Sequence, residues 1–203
     1  MAVAPGNTAL ATLDEAKLYV WREATHTADE QDLLCLILNG VSDAVHQYLG
    51  NVMRQTYTEK YDGGTEWLAL RHYPVVSVSN VKELDLNLTK GQDYLVYPEL
   101  WRLRRLGTKW LPLPQAIEVT YEAGWAVQER DATGKLTAVV YHPGGEGIRQ
   151  AVLVWCYELW HAGPSTFADL VGDRGIMLRP EGMPPAAREL LACYVHPIAS
   201  VVS

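Results

Sequence analysis

The side chains able to do chemistry are few and scattered. Six histidines stand at His26, His46, His72, His142, His161 and His196. No two are four residues apart, the spacing at which one helix face offers two imidazoles to a metal, and none neighbours a cysteine pair. Cys35, Cys156 and Cys193 are odd in number, widely separated, and set in apolar helical stretches where cysteine acts as a small hydrophobe. Gly144-Gly145-Glu146-Gly147 precedes a helix, and helix N-termini attract anions. It lacks the Lys-Ser/Thr of a phosphate loop, Glu146 repels phosphate, and the spacing is not the dinucleotide fingerprint. There is no G-x-S-x-G nucleophile elbow. The acidic pairs Asp14-Glu15 and Asp29-Glu30 fall in first helical turns, where they complement the helix dipole. The sequence therefore offers no catalytic, metal-ligating or cofactor-binding residues, and an enzyme is not expected.

One run remains: Trp101-Arg102-Leu103-Arg104-Arg105-Leu106-Gly107-Thr108-Lys109-Trp110. Four cations between two tryptophans match the composition of a single-strand nucleic-acid surface. The same run reads equally as a strand with Arg102 and Arg104 toward solvent and Trp101 and Leu103 inward. A third reading is electrostatic docking onto an acidic partner. The charge balance weighs against nucleic acid. The chain carries 17 basic and 24 acidic side chains, a formal net charge of −7. Residues 1–53 hold two basic and seven acidic groups, residues 54–144 eleven of each, and residues 145–203 four and six. General DNA binding needs cations to displace phosphate counterions.

The elements that must carry these groups follow from periodicity. Thr12 with Glu15, and Thr27 with Glu30, fit the capping box that starts a helix. The first helix runs to about Arg22. The second spans about Ala28 to Leu49, and Leu34, Leu38, Val41, Val45 and Tyr48 form its apolar stripe, with Gly50 as C-terminal cap. That stripe is wide enough to pack against both its own core and a neighbouring copy, and is a candidate packing surface between copies. After Arg54 the period falls to two, with Thr56, Thr58 and Lys60 alternating with Tyr57 and Tyr61. Strands are expected at Trp67–Leu70, Val75–Val81, Tyr94–Tyr97, Trp101–Leu106 and Ala116–Tyr121, with turns at 62–64 and 90–92. A hairpin through Asp131–Gly134 leads to a strand at Leu136–Tyr141. A third helix is expected over Glu146–His161, a short one around Phe167–Val171, and a last one from Pro184-Pro185, ended by Pro197.

The expected fold class is α+β: an N-terminal helical pair, a small antiparallel β-rich middle, and C-terminal helices packing with the N-terminal ones. Residues 1–11 are expected to form a flexible arm and 12–196 one domain, with helices at 12–50, β structure at 54–144 and helices at 145–196. Residues 197–203 form a tail. No basic leader or long apolar run marks a signal peptide or membrane span, and unpaired cysteines fit a reducing cytosol.

The order of these signals resembles the head–tail connector proteins (adaptor or head-completion proteins) of tailed phages and gene transfer agents. The resemblance rests on Thr12–Val20, Thr27–Leu34, Tyr48–Asn51, Arg54–Thr58, Trp67–Leu70, Tyr73–Val78, Asp93-Tyr94, Trp110, Val119–Trp125, Ile148–Leu153 and Met183–Leu191. It covers about Thr12 to Tyr194. Residues 126–144 stand out as an insertion. What the resemblance implies is a homo-oligomeric ring, typically dodecameric, in the virion neck, attached beneath the portal protein. The ring would extend the DNA channel, pass DNA without sequence-specific binding, and receive a stopper or tail-completion protein. The candidate partner interface is then Trp101, Arg102, Arg104 and Arg105, together with Ile198, Val201 and Val202 of the tail, which could add a strand to a partner sheet.

Overall fold

Two reciprocal caps start the N-terminal helices. In each, the Thr hydroxyl accepts the N–H of the Glu three residues on, and that carboxylate accepts the Thr N–H, at 2.7–3.3 Å. The computed structural model describes residues 3–21, 26–162, 171–172, 175–176 and 182–195. Helix α1 covers Leu13–Val20 and α2 covers Ala28–Leu49, ending at Gly50 with φ +84°. After the β-rich middle come α3, Glu146–Ala162, and α4, Pro185–Leu191, followed by a 3-10 turn at Ala192–Tyr194. The fold class is α+β, as expected.

The chain divides into two compact units, not one domain: residues 1–52 with 126–203, and residues 53–125. The first is the helical unit. Leu34, Ile37, Leu38, Val41, Ile148, Val152 and Leu191 have no accessible surface there, each burial stabilising by roughly 1.5–3 kcal/mol relative to exposure. Cys35 and Cys156 are free thiols in the same core, where burial pushes Cys35 up to about 11 and Cys156 higher still. They pack as small hydrophobes. Strands β8 (Ala126–Arg130) and β9 (Leu136–Tyr141) form an antiparallel hairpin that belongs to this unit. Residues 126–144 therefore do not continue the middle sheet. The short helix expected around Phe167–Val171 falls mostly outside the described residues. Within them, β10 (Val171–Gly172) pairs with β11 (Gly175–Ile176).

The expected N-terminal arm is replaced by a packed segment. Ala9, Leu10 and Ala11 are wholly buried. Gly6 N–H donates to Asn39 and Leu10 N–H to Ser42, both on α2. Gln128 donates to the Gly6 and Ala9 carbonyls, Arg130 to those of Pro5 and Gly6, and the Tyr141 hydroxyl to that of Leu10. His46 bonds the Thr8 carbonyl through Nε2 and the Val52 N–H through Nδ1, and burial holds it below the usual histidine range. Small residues without periodicity look unstructured in sequence. Here their backbone groups are satisfied by side chains 32 to 125 positions away.

The second unit is all β. β1 (Gln55–Tyr61), β7 (Ile117–Ala123), β3 (Val75–Glu83) and β4 (Leu86–Asn87) form an antiparallel sheet in the order β1-β7-β3-β4. β2 (Trp67–Ala69), β6 (Arg102–Arg105) and β5 (Tyr94–Tyr97) form a second, in the order β2-β6-β5. Between them lie Leu68, Leu70, Val81, Leu103, Trp110, Ile117, Val119 and Tyr121. Gly63 makes the close approach at the turn after β1: a Cβ there would stand 1.8 Å from the Leu111 carbonyl oxygen.

Candidate interaction surfaces

Strand alternation and register define one displayed face. Trp67 pairs with Arg104 and Arg104 with Leu95. Ala69 pairs with Arg102 and Arg102 with Tyr97. Partnered residues in a sheet share a face. The outward face of β2-β6-β5 is therefore two rows of three, while Leu68, Leu103 and Val96 form the row beneath. Trp67 is 37% exposed, its ring 5.1 Å from that of Tyr97, and the Arg104 guanidinium lies 5.6 Å above the indole. Leu100, on the 3-10 turn Pro98–Leu100 that joins β5 to β6, is 51% exposed. Tryptophan, tyrosine and arginine over a small apolar area is the composition of binding hot spots.

The basic run is thus split by its own pleat. Arg102 is exposed. Arg104 is half-exposed and donates through Nε to Glu66. Arg105 points the other way, with 11% of its side chain accessible. It donates to the Asp93 carbonyl at 2.7 Å and pairs with Glu83 and Asp93 at 3.4 and 3.5 Å. Arg105 is a structural ion, not a surface one, because its phase in β6 aims it inward. Trp110 has no accessible surface, so it cannot stack on a base. Trp101 sits at φ 51°, ψ 40°, closing the 3-10 turn, and packs on Tyr73 with ring centroids 4.6 Å apart. Arg102 and Lys109 are the exposed cations of the run.

Beside this face is a polar clamp that sequence periodicity does not single out. Glu59 lies on β1 in phase with Tyr57 and Tyr61, the inward positions. Tyr61 and Tyr121 each donate a phenol proton to Glu59 Oε2 at 2.6 Å. Each phenol oxygen also accepts a backbone N–H at 3.2 Å, that of Arg71 on Tyr61 and that of His72 on Tyr121. The Arg71 and His72 side chains approach the same carboxylate at 3.5 and 3.6 Å, and His72 stacks on Tyr57. Burial, then the bond to Glu59, pushes Tyr61 up to about 12 and raises Tyr121 as well, so both remain donors. Burial raises Glu59, but the two phenols, with His72 and the Arg71 guanidinium beside it, outweigh it and hold its carboxyl below the usual range. The clamp fixes residues 71–72, and hence Tyr73 beneath Trp101. A carboxylate in the inward phase of a strand is its only trace in sequence.

The candidate ring stripe on α2 is consumed inside the chain. Leu34, Leu38, Val41 and Val45 have no accessible surface, and only Tyr48 retains some. A side chain fully covered within one subunit has nothing left to offer a neighbour, so this stripe is core. The described residues that do expose large apolar surface on the helical unit include Leu18, 84% accessible, and Tyr19 on α1. Ile198, Val201 and Val202 lie outside the described residues. Among the described residues no group of three or more His, Cys, Asp or Glu side chains is placed to hold a metal ion, and no helix is long and apolar enough to cross a membrane.

No protein-family profile matches the sequence, and no curated protein does. Solved structures do. A chain from the neck of an empty gene transfer agent (GTA) particle, computed with C6 symmetry, superimposes with a TM-score of 0.54 at 17% identity, over 95% of this chain and 92% of that one. A chain from the neck of the native GTA particle, computed with C12 symmetry, gives 0.50 at 15% identity over the same shares. Across nearly its whole length, this chain has the fold of a gene transfer agent neck protein.

Proposed function

We propose that the chain is a non-enzymatic structural subunit of a head–tail connector. Copies form a ring in the virion neck beneath the portal, extend the DNA channel, and receive a stopper or tail-completion protein. The observation that carries this reading is the end-to-end likeness in fold to chains of GTA necks computed with sixfold and twelvefold symmetry. The absence of a recognisable reactive constellation in the sequence is consistent with it. The acidic N-terminal helices suit a channel lining, since negative walls repel phosphate. The outward face of β2-β6-β5 is the docking surface for one partner of the neck, with Arg102 and Arg104 framing Trp67 and Tyr97. The tail, with Ile198, Val201 and Val202, is the portal-docking element.

Electron microscopy of the chain bound to its portal tests the whole reading. A ring beneath the portal is expected, and a monodisperse chain that never associates with portal refutes it. Replacing Arg102 and Arg104 together by Glu is expected to block one docking step, with normal particle assembly counting against the surface. Removing residues 197–203 is expected to abolish portal binding while leaving the fold intact. A nucleic-acid role for Arg102–Lys109 is disfavoured: Arg104 and Arg105 are engaged by carboxylates and Trp110 is buried. A salt-sensitive gel shift with short DNA would reinstate it.

A further inference from the structure

The β unit carries a strained, apolar tip. The turn from β3 to β4 has two residues, Leu84-Asp85, and Leu84 sits at φ +54°. Hairpins favour glycine at that position, because an L side chain is strained there. Leu84 is also 57% exposed, so the residue costs the fold backbone strain while covering little apolar surface. The loop before β7 repeats the pattern at Gln115, φ +51°. Both loops are tied down. Leu84 N–H donates to the Ala116 carbonyl at 2.7 Å, Leu111 N–H to Glu83 Oε1 at 2.7 Å, and Gln115 N–H to Asp62 at 2.8 Å. Strain held in place by its surroundings marks a site kept for something other than stability. Two further leucines stand on these loops, Leu86 at 65% exposure and Leu113 at 47%.

Leu84 borders a groove of about 440 Å³ on the polar face of the four-stranded sheet, lined also by Lys60, Lys82, Asp85 and Glu118. Register sets Lys60, Glu118 and Lys82 side by side on three strands. Lys82 pairs with the Glu118 carboxylate at 3.3 Å. That leaves one charge of each sign, Lys60 on β1 and Asp85 in the turn. Both are exposed, and neither forms an ion pair among the described residues. The complement of this groove is an exposed leucine flanked by a carboxylate and an ammonium. The helical unit of the same chain presents that set. Leu18 on α1 is 84% exposed, and Asp14 lies four residues before it, on the same helix face. Lys135 stands 3.8 Å from Asp14, with 67% of its side chain accessible against 74% for Asp14. An ion pair so exposed is worth little, so both charges are available to another molecule.

We infer that the Leu84 tip of one copy receives α1 of a second copy, with Leu18 against Leu84 and Leu86, Asp14 beside Lys60 and Lys135 beside Asp85. Two different patches of the chain then meet. Such a heterologous contact repeats head to tail, and it closes into a ring when the rotation between copies allows. The proposed ring needs a contact of this kind, so the inference deepens the connector reading and rests on it for closure. The pairwise contact is measurable without a portal.

Sedimentation velocity on the purified full chain, over a concentration series, tests it. The native chain is expected to self-associate. Leu84→Gly removes the tip and relieves its backbone. Its association constant is expected to fall about tenfold or more, while its β7 amides exchange no faster than those of the native chain. Leu18→Arg is expected to weaken association equally. Each of these variants keeps one intact patch, so their mixture should give a dimer and nothing larger. Asp14→Lys and Lys60→Glu should each weaken association, and the two together in one chain should restore most of it. A native chain that stays monomeric throughout the series overturns the inference and leaves the connector reading standing, since a portal can recruit single copies. Unchanged association of Leu84→Gly, or a charge-swapped chain no better than its single variants, overturns it as well. Association that answers to both patches, without a ring beneath the portal, would uphold the contact and refute the connector reading instead.

Discussion

Tyr121→Phe removes one oxygen from the centre of the Glu59 clamp and nothing else. In the native chain that oxygen donates to Glu59 at 2.6 Å and accepts the His72 N–H at 3.2 Å, with the ring wholly buried. A hydrogen bond to a charged acceptor contributes about 1.5–3 kcal/mol, and a covered N–H left without a partner costs about 1–3 kcal/mol. His72 is partly exposed, which moves the second figure to its lower end. The expected loss is about 3 kcal/mol, near two orders of magnitude in the opening equilibrium. The two units need not unfold together, so a single midpoint would blur the effect. Exchange of the β7 amides reports residues 53–125 alone, and their protection should fall about a hundredfold while α3 amides hold. The pH dependence gives a second reading. Glu59 has a folded pKa below its unfolded value, so its contribution is complete above the unfolded pKa, about 4.5, and disappears as pH falls through the folded one. The gap between native chain and variant should therefore narrow as the solution is acidified below about pH 4.5. A β7 protection change under fivefold at neutral pH, or a gap that widens in acid, would refute the account of the clamp.

Neighbouring arginines of one run should behave oppositely. Arg105→Ala leaves Glu83 largely buried without its cation and is expected to cost about 3 kcal/mol, whereas Arg102→Ala should stay within about 0.5 kcal/mol, both measured by urea unfolding. Gly63→Ala drives a methyl into the Leu111 carbonyl and should destabilise the β unit by on the order of 3 kcal/mol or more, seen as loss of near-ultraviolet circular dichroism. Ser42→Ala strips the acceptor from the Leu10 N–H inside the helical unit, and about 1–3 kcal/mol should be lost, with faster exchange at Leu10.

The helices were legible because their signals are local. Each capping box spans four residues, and the apolar stripe of α2 repeats within one segment. The strands were legible in phase but not in partner. Trp67-Leu68-Ala69 and Arg102-Leu103-Arg104 alternate plainly, yet only the register places Trp67 beside Arg104 and so assembles the outward face. The same limit misassigned Arg105, whose counterions Glu83 and Asp93 lie 22 and 12 positions away. Residues 3–11 carry no period, and the groups that fix them sit on α2 and on the β8–β9 hairpin. Wide amphipathicity on α2 was compatible with a neighbour or with a larger core, and α1 and α3, which both pack on α2, supply the larger core. His46 and Glu59 are engaged in hydrogen bonds with groups up to 62 positions away, which no local spacing announces.

The interruption of one unit's sequence by the other's has a kinetic consequence. Residues 53–125 stand between α2 and β8, so the helical unit cannot complete its core until a long excursion of chain has been closed, a step whose entropy cost grows with the length of the open loop. Folding of the β unit performs that closure. Its first and last strands pair Gln55 with Ala123, which delivers Val52 and Ala126 to each other, and these two join through an N–H···O bond of 3.2 Å. The β unit can thus form from its own contacts, while the helical unit waits for it. Lesions in the inserted sheet should slow assembly of the helices they never touch.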